Sequence, residues 1–410
     1  EAAKLPDIRG ASAILDRINL IDLPAFFSGE NCQINKWLNA NFPGLQDGLI
    51  KELIVYSTGG NILAFCPAAL VDDLANAIEK RYTEETLTAN SCAVGETFKM
   101  LEVRFGLLPD KIEKTLWLDW YKKNSENELV KAYFNRKGDL EEDFQNRKSF
   151  NELVGKLATR FNQRRAGNIL PNNQPNNQPN NNRSSRRYPP MFETHPYLVA
   201  DESDRRNAIK KVQLPGEPFL SETLVRKRIV GQRTKQEGSS GQKWYRDLGY
   251  KWSPGLVQSW VTRFKLSFKK TKLQQKYYDN LPDDFPWYKV KEAKSLREIA
   301  NAEPAKPISS SGFVGYIYAD GNNMGGYIQT IRNPEDYQQF SEDIVDATEK
   351  SVYKAIAKHL QPRQIKNPDP DSNIKAGTWI HPFEIIAIGG DDVMLIVPAD
   401  KALAIAQTIG

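Results

Sequence analysis

The chain has 410 residues, a formal net charge of +5, 40% hydrophobic and 26% charged residues. At roughly 100–200 residues per domain this length holds two to four domains. The composition is that of an ordinary globular protein rather than a disordered or fibrous one, and no run of about 18 apolar residues is present to cross a membrane. The chain opens on Glu-Ala-Ala-Lys, with neither a methionine nor a secretory pattern, and is expected to be part of a longer protein. Its three cysteines (Cys32, Cys66, Cys92) and three histidines (His195, His359, His381) form no C-x-x-C knuckle and no adjacent His-Asp pair. No zinc site and no nuclease site of the His-Asp kind is therefore expected. Cys66 reads as a small core residue and the histidines as isolated surface or loop residues. The cysteine usage fits a reducing, cytoplasmic setting.

In chain order, a short helix is predicted around Ala11–Ile18. Leu53–Tyr56 reads as a strand, Ser57-Thr58-Gly59-Gly60 as a turn, and Ile62–Cys66 as a return strand. A helix follows with apolar residues at Leu70, Leu74, Ile78 and Tyr82, and Pro67 at its first position. Residues 101–167 read as a helical segment. Residues 168–187, with Pro-Asn-Asn-Gln repeats and almost nothing apolar, read as a low-complexity linker. Residues 188–311 form a basic linking domain that ends in a Pro- and Ser-rich stretch at 302–311. From Arg205 to Lys276 there are 18 lysines and arginines against 4 aspartates and glutamates, so the rest of the chain is net acidic. A basic segment in an acidic chain is an electrostatic footprint for a polyanion such as nucleic acid. Trp244, Tyr245, Tyr250, Trp252, Trp260 and Phe264 lie among those charges, a mixture suited to stacking and phosphate contact with RNA. The alternative is a small helical subdomain with a solvated basic face.

The last block, 312–410, repeats the plan of residues 1–100. Phe313–Ala319 is a strand. Asn333-Pro334 starts a long helix, with Asn333 as N-cap and Glu335 and Asp336 at the positive end of the dipole. Glu384–Ile388 and Val393–Val397 flank the turn Gly389–Asp392, and Pro398-Ala399 opens another helix. Aligned back from Pro67-Ala68 and Pro398-Ala399, Asn61 falls on Asp392, Gly60 on Asp391 and Gly59 on Gly390. This reads as an internal duplication in which one copy has lost its carboxylates. The expected fold class is α+β, with two ferredoxin-like palm domains. The first (1–100) is degenerate. The second (312–410) is catalytic and lacks its last strand. The first copy likewise lacks a strand before its first helix, so residues before 1 and after 410 are expected in the full protein. The two apolar runs beside the turn do not alternate, which predicts cover on both faces: helices on one, another unit such as the other palm on part of the other.

Gly389-Gly390-Asp391-Asp392 carries the chemistry. A hairpin turn uses Gly and Asp for conformational reasons alone. Here, however, two carboxylates stand together between apolar strands, which is costly unless a cation shares their charge. A third, Asp320, ends the strand that a palm places beside that hairpin. Hard oxygen donors suit magnesium or manganese. Two such ions can activate a ribose hydroxyl and stabilise departing pyrophosphate. Asp320, Asp391 and Asp392 are thus the candidate catalytic and metal-binding residues. Gly321, Asn322, Asn323 and Gly325 form a loop able to turn N–H groups toward a triphosphate. Gly389 and Gly390 let a nucleotide approach bare backbone. Ser57, Gly59 and Gly60 are the matching positions of the first copy.

Asp-Gly-Asn-Asn-Met-Gly with Gly-Gly-Asp-Asp, and a first copy reading Tyr-Ser-Thr-Gly-Gly-Asn, resembles the large signature subunit of type III CRISPR effector complexes. Asp7-Ile8-Arg9-Gly10-Ala11-Ser12 is similar to a stretch near that family's first palm. The resemblance implies synthesis of cyclic oligoadenylate from ATP, with two magnesium or manganese ions, switched on when target RNA pairs with the guide. It implies two ATP molecules held between paired palms, and partners in the other effector subunits, guide RNA and target RNA. It assigns metal binding to Asp320, Asp391 and Asp392. There are departures: Asn322 stands where members often have an acid, and the HD nuclease, the zinc-binding cysteines and the helical C-terminal domain have no counterpart. Rival expectations are an idle scaffold subunit of the same complex, a diguanylate-cyclase-like enzyme and a template-directed polymerase. The turn here lacks the Glu-Phe of diguanylate cyclases, and no fingers or thumb region is evident.

Overall fold

The computed structural model describes residues 5–107, 117–166, 197–201, 203–211, 218–234, 252, 258–267, 271–300, 312–366, 368 and 374–410. The expected linker at 168–187, the stretch 302–311 and Trp244, Tyr245 and Tyr250 lie outside these residues.

The N-terminal block is a helical layer around one hairpin. It comprises α1 (Leu5–Arg17), a π-helical turn (Ile18–Asp22), α2 (Leu23–Ser28), α3 (Cys32–Asn41), β1 (Ile54–Thr58), β2 (Asn61–Ala64) and α4 (Val71–Thr86). Leu74, Ala77 and Tyr82 of α4 pack with Ile14, Phe26 and Leu38 in one core. Proline 67 is not helical as expected: its ψ of 137° is extended, a 3-10 turn Ala68–Leu70 follows, and the α-helix begins only at Val71. Beyond it come α5 (Glu102–Phe105), α6 (Trp117–Asn124), α7 (Glu128–Phe134), α8 (Leu140–Arg147) and α9 (Phe150–Ala166). The basic segment contributes β3 (Ala208–Lys211), β4 (Phe219–Ser221), α10 (Glu222–Arg233), α11 (Trp260–Ser267), α12 (Lys272–Tyr277), β5 (Lys291–Glu292) and α13 (Leu296–Ala300).

The C-terminal block runs β6 (Val314–Ala319), α14 (Met324–Ile328), α15 (Pro334–His359), β7 (Arg363–Gln364), β8 (Trp379–His381), β9 (Glu384–Gly389), β10 (Asp392–Pro398) and α16 (Ala399–Ile409). Its main sheet is antiparallel in the order β6-β10-β9. This is a βαββα unit with its third strand between the first and second, the ferredoxin-like arrangement without a fourth strand. Asn333 caps α15 as predicted, its side-chain oxygen accepting from the Asp336 N–H at 2.7 Å.

One face of this sheet is covered by helices and the other in part, as the non-alternating strands predict, with Tyr316, Tyr318 and Met394 left exposed. Ile317, Val393, Leu395 and Val397 pack under Val352, Ile356 and Ile405 of α15 and α16. Ile386 and Ile396 pack on the opposite face against Leu5 of α1 and Ile299 of α13. Each such side chain contributes about 1.5–3 kcal/mol on full burial. The cover on the second face thus comes from one N-terminal helix and the end of the basic segment.

Helix α1 is seated by polar pairs its apolar pattern does not disclose. Arg9 donates to both Glu384 oxygens (2.7 and 3.0 Å) and to the Gly231 carbonyl, all buried. Ser12 Oγ donates to the Ile386 carbonyl at 2.5 Å. Asp7 pairs with Arg228 of α10 through Nε at 2.7 Å. Gly10 and Gly231 let α1 and α10 touch backbone to backbone, since a Cβ at Gly10 would overlap the Lys227 carbonyl and one at Gly231 that of Pro6. The Asp7–Ser12 motif is therefore a docking motif.

The structure revises three expectations. His381 is fully buried, its Nδ1 2.9 Å from the Tyr277 hydroxyl, because β8 runs beneath α12 rather than over the surface. Part of the basic segment's charge is spent internally: besides Arg228, Arg226 donates to the Glu85 carbonyl and lies over the Trp252 ring. Phe264 belongs to the sheet core, and Trp252 donates its indole N–H to Glu85 at 3.1 Å, so neither ring is open to a base. No helix among the described residues is long and apolar enough to cross a membrane.

Candidate active site

Two tight turns face each other. In the C-terminal hairpin Asp392 pairs with Gly389, leaving Gly390 and Asp391 as the central residues. Gly390 has φ +74° and Asp391 does not enter the left-handed region, the φ pattern of a type II′ turn. In the N-terminal hairpin Thr58 pairs with Asn61, and Gly59 (φ +57°) and Gly60 (φ +80°) are central, the pattern of type I′. Gly59-Gly60 and Gly390-Asp391, aligned in the sequence, are thus both central pairs, in turns of different type. The turns also touch. A Cβ at Gly59 would lie 2.8 Å from the Gly389 carbonyl oxygen, and one at Gly389 3.1 Å from the Gly59 Cα.

The carboxylates gather at this junction. Ala319 pairs with Val393, so Asp320, just past the end of β6, lies beside Asp392, the first residue of β10. A Cβ at Gly321 would meet Asp391 Cβ at 2.7 Å and its Oδ2 at 2.8 Å, so bare backbone after Asp320 packs on the Asp391 side chain. Tyr318, two residues before Asp320 and on the same face, donates its hydroxyl to Asp392 Oδ1 at 2.9 Å. Its phenol is held above the usual tyrosine range by that hydrogen bond and the Asp392 charge, then by burial, then by the charges of Asp320 and Asp391. All three acids therefore act on one hydroxyl. Asp320 and Asp392 are exposed and Asp391 half-buried. Among the described residues no three His, Cys, Asp or Glu side chains are grouped closely enough to hold a metal ion. The donor set itself, carboxylate oxygen without sulfur or imidazole, is of the kind magnesium and manganese take.

The remaining predicted residues line the same region with different commitments. Asn323 takes φ +58°, and its carbonyl accepts from Gly326 and Tyr327, starting the one-turn helix α14. A Cβ at Gly326 would displace the Asn323 side-chain amide, whereas Gly325 faces open space. Asn322 is exposed. Ser57 donates its hydroxyl to the Asn19 carbonyl at 2.6 Å, which ties the first hairpin to the π-helical turn. Sequence reasoning missed Tyr318; the signal was its place two residues before Asp320 on one strand, hence on the same face. It also missed Tyr56, which stacks on Tyr337 of α15 at 5.5 Å and locks the N-terminal hairpin to the C-terminal block. Tyr316, Tyr318 and Met394 form an exposed strip beside the acids.

Residues 313–410 match the family model described as Cas10/Cmr2, second palm domain. The match covers the βαββα unit and its turn, and supports the chain being a Cas10 large subunit of type III CRISPR complexes. No curated protein sequence matches the chain.

Proposed function

We propose, from the premise that residues 313–410 are a Cas10/Cmr2 second palm, that this chain is the nucleotidyltransferase subunit of an RNA-guided type III CRISPR complex. In this reading it joins ATP into cyclic oligoadenylate when target RNA is bound, and residues 1–100 are a degenerate first palm that helps hold a nucleotide. One observation carries the reading: Asp320, Asp391 and Asp392 lie at one sheet end, beside bare glycine backbone and next to the acid-free Gly59-Gly60 turn. Asp320, Asp391 and Asp392 would hold two magnesium or manganese ions, which supply activation of the ribose hydroxyl and charge neutralisation on the leaving pyrophosphate.

The protein's own part is positional. Gly390 leaves open backbone where a triphosphate can approach, whereas Gly389 is bare for contact with Gly59 and Gly321 for contact with Asp391, contrary to the expectation that Gly389 meets the nucleotide. Tyr318 holds Asp392 in one orientation through its hydroxyl. The contact of the two turns fixes the spacing between a nucleotide on one hairpin and a nucleotide on the other, the proximity that joining them requires. The test is the assembled complex with guide and target RNA, ATP and magnesium, with products identified by mass spectrometry. Oligoadenylate made by the parent and lost in Asp391→Ala/Asp392→Ala is expected. A cyclic dinucleotide made from GTP, or added nucleotides extending a primer, would replace this reading with a rival enzyme. A second reading, an idle scaffold, draws on the three carboxylates not being grouped for a metal; parent complex that makes no product while binding its RNAs would establish it.

A further inference from the structure

A second charged site lies at the opposite end of the sheet. β10 runs seven residues from Asp392 to Pro398, about 20 Å at ~3.3 Å per residue, and α16 begins there. Around its start opens a cavity of about 440 Å³, within the ~300–1,000 Å³ usual for ligand sites. Lys276 of α12, Lys358 of α15, Arg363 of β7, Lys366 and Lys401 of α16 line it, and no carboxylate is among the described lining residues. Lys276, Lys358 and Lys366 are exposed, and among the ion pairs of the described residues Lys401 is paired with its chain neighbour Asp400 at 3.6 Å.

Like charges brought together from four elements repel one another, and an anion relieves that repulsion. The crowding is felt by His359 in the same cavity, whose imidazole is pushed below its ordinary range by burial and then by Lys358, Lys401 and Lys276. The amides present are committed to the backbone: Asn280 to the Pro362 carbonyl, Gln361 to that of Lys276 and Gln364 to that of Gly377. Recognition therefore falls to the cations and to Trp379, the aromatic on the wall.

We infer that this cavity binds the phosphodiester backbone of a single-stranded RNA, with the lysines and Arg363 on successive phosphates and Trp379 as a stacking surface. Two observations favour a strand over a free nucleotide. The cations are spread over α12, α15, β7 and α16 rather than focused on one point, and α12 carries a further exposed cation, Lys272, one turn before Lys276. Base stacking on an indole with phosphates on lysine is the usual combination for sequence-tolerant single-strand binding.

The experiment measures fluorescence anisotropy of a labelled 20-nucleotide single-stranded RNA on the full chain over a salt series. Lys358→Ala/Lys401→Ala is expected to weaken binding about tenfold and to make the slope of log K against log salt shallower by about 1.4, two phosphates at ~0.7 each. Lys350→Ala/Lys354→Ala removes the same charge from α15 outside the cavity and is expected to change neither. In parallel, RNA should protect Lys358 and Lys401 from acetylation in the parent chain, and ATP should not. Equal losses in the two double variants, or no protection, would overturn the inference. Protection by ATP equal to that by RNA would make the cavity a mononucleotide site and overturn it as well. The inference is separate from the catalytic reading, since Asp391→Ala/Asp392→Ala leaves this cavity intact and should bind RNA as the parent does.

Discussion

Replacing Gly59 by alanine tests whether the two turns work as one site. The new Cβ would lie 2.8 Å from the Gly389 carbonyl oxygen and 3.2 Å from its carbonyl carbon. Ordinary packing distances begin at about 3.5 Å, so the Gly389–Asp392 turn must shift by roughly half an ångström or more. A misplacement of ~1 Å costs about 10²-fold in rate, so about a tenfold loss of oligoadenylate synthesis is expected. Alanine at φ +57° adds about 1 kcal/mol of backbone strain. Gly60→Ala separates the two effects. Its φ of +80° imposes similar strain, but its Cβ would meet nothing within 4 Å. Both variants should lose similar stability in urea titration, and only Gly59→Ala should lose rate in the assembled complex, followed by pyrophosphate release. Equal rates for the two variants would refute the coupling of the turns.

Three further outcomes follow from the structure. Asp391→Ala/Asp392→Ala should lower product formation by at least about 10³-fold, the scale of a lost electrostatic group, with an unchanged urea midpoint because both side chains sit at a turn; a large midpoint shift would mean the acids are structural. Arg9→Ala or Glu384→Gln breaks a buried pair and should cost about 3–5 kcal/mol; a cost below 1 kcal/mol would show that α1 is not held on the sheet by this contact. Burial raises the Asp16 carboxyl to about 6, against the opposing effects of Arg263 and the Trp260 hydrogen bond. Folding therefore takes up a proton between pH 3.8 and about 6, stability falls as pH rises through that window, and the ionised group costs about 1–3 kcal/mol at pH 7. Asp16→Asn should regain that stability at pH 7 and show no gain below pH ~4; a gain independent of pH would contradict the titration.

The candidate site was legible in the sequence because its acids and glycines sit where local rules are strict. A two-residue hairpin turn demands glycine at a left-handed position, and apolar runs on either side mark the strands, so Gly389–Asp392, its alignment with Gly59-Gly60, and the strand ending at Asp320 were all legible. Capping by Asn333 was legible for the same local reason. The family resemblance rested on motifs in both blocks, and the matched region, 313–410, contains those at Asp320 and Gly389–Asp392.

What lay hidden depended on partners far apart in the chain. The Asp7–Ser12 stretch carried only a family resemblance until Arg9 met Glu384, 375 positions away. The Arg226 and Arg228 charges count as solvated until α10 packs on α1 and α4. Tyr318, the contact of the two turns and the basic cavity at the far end of β10 each need the sheet and its helices in place. Local conformation and periodicity are written residue by residue and fixed this chain's turns, strands and candidate acids; which buried charges are paired, which rings remain open and which cations gather are decided by long-range packing, and only the tertiary structure decided them.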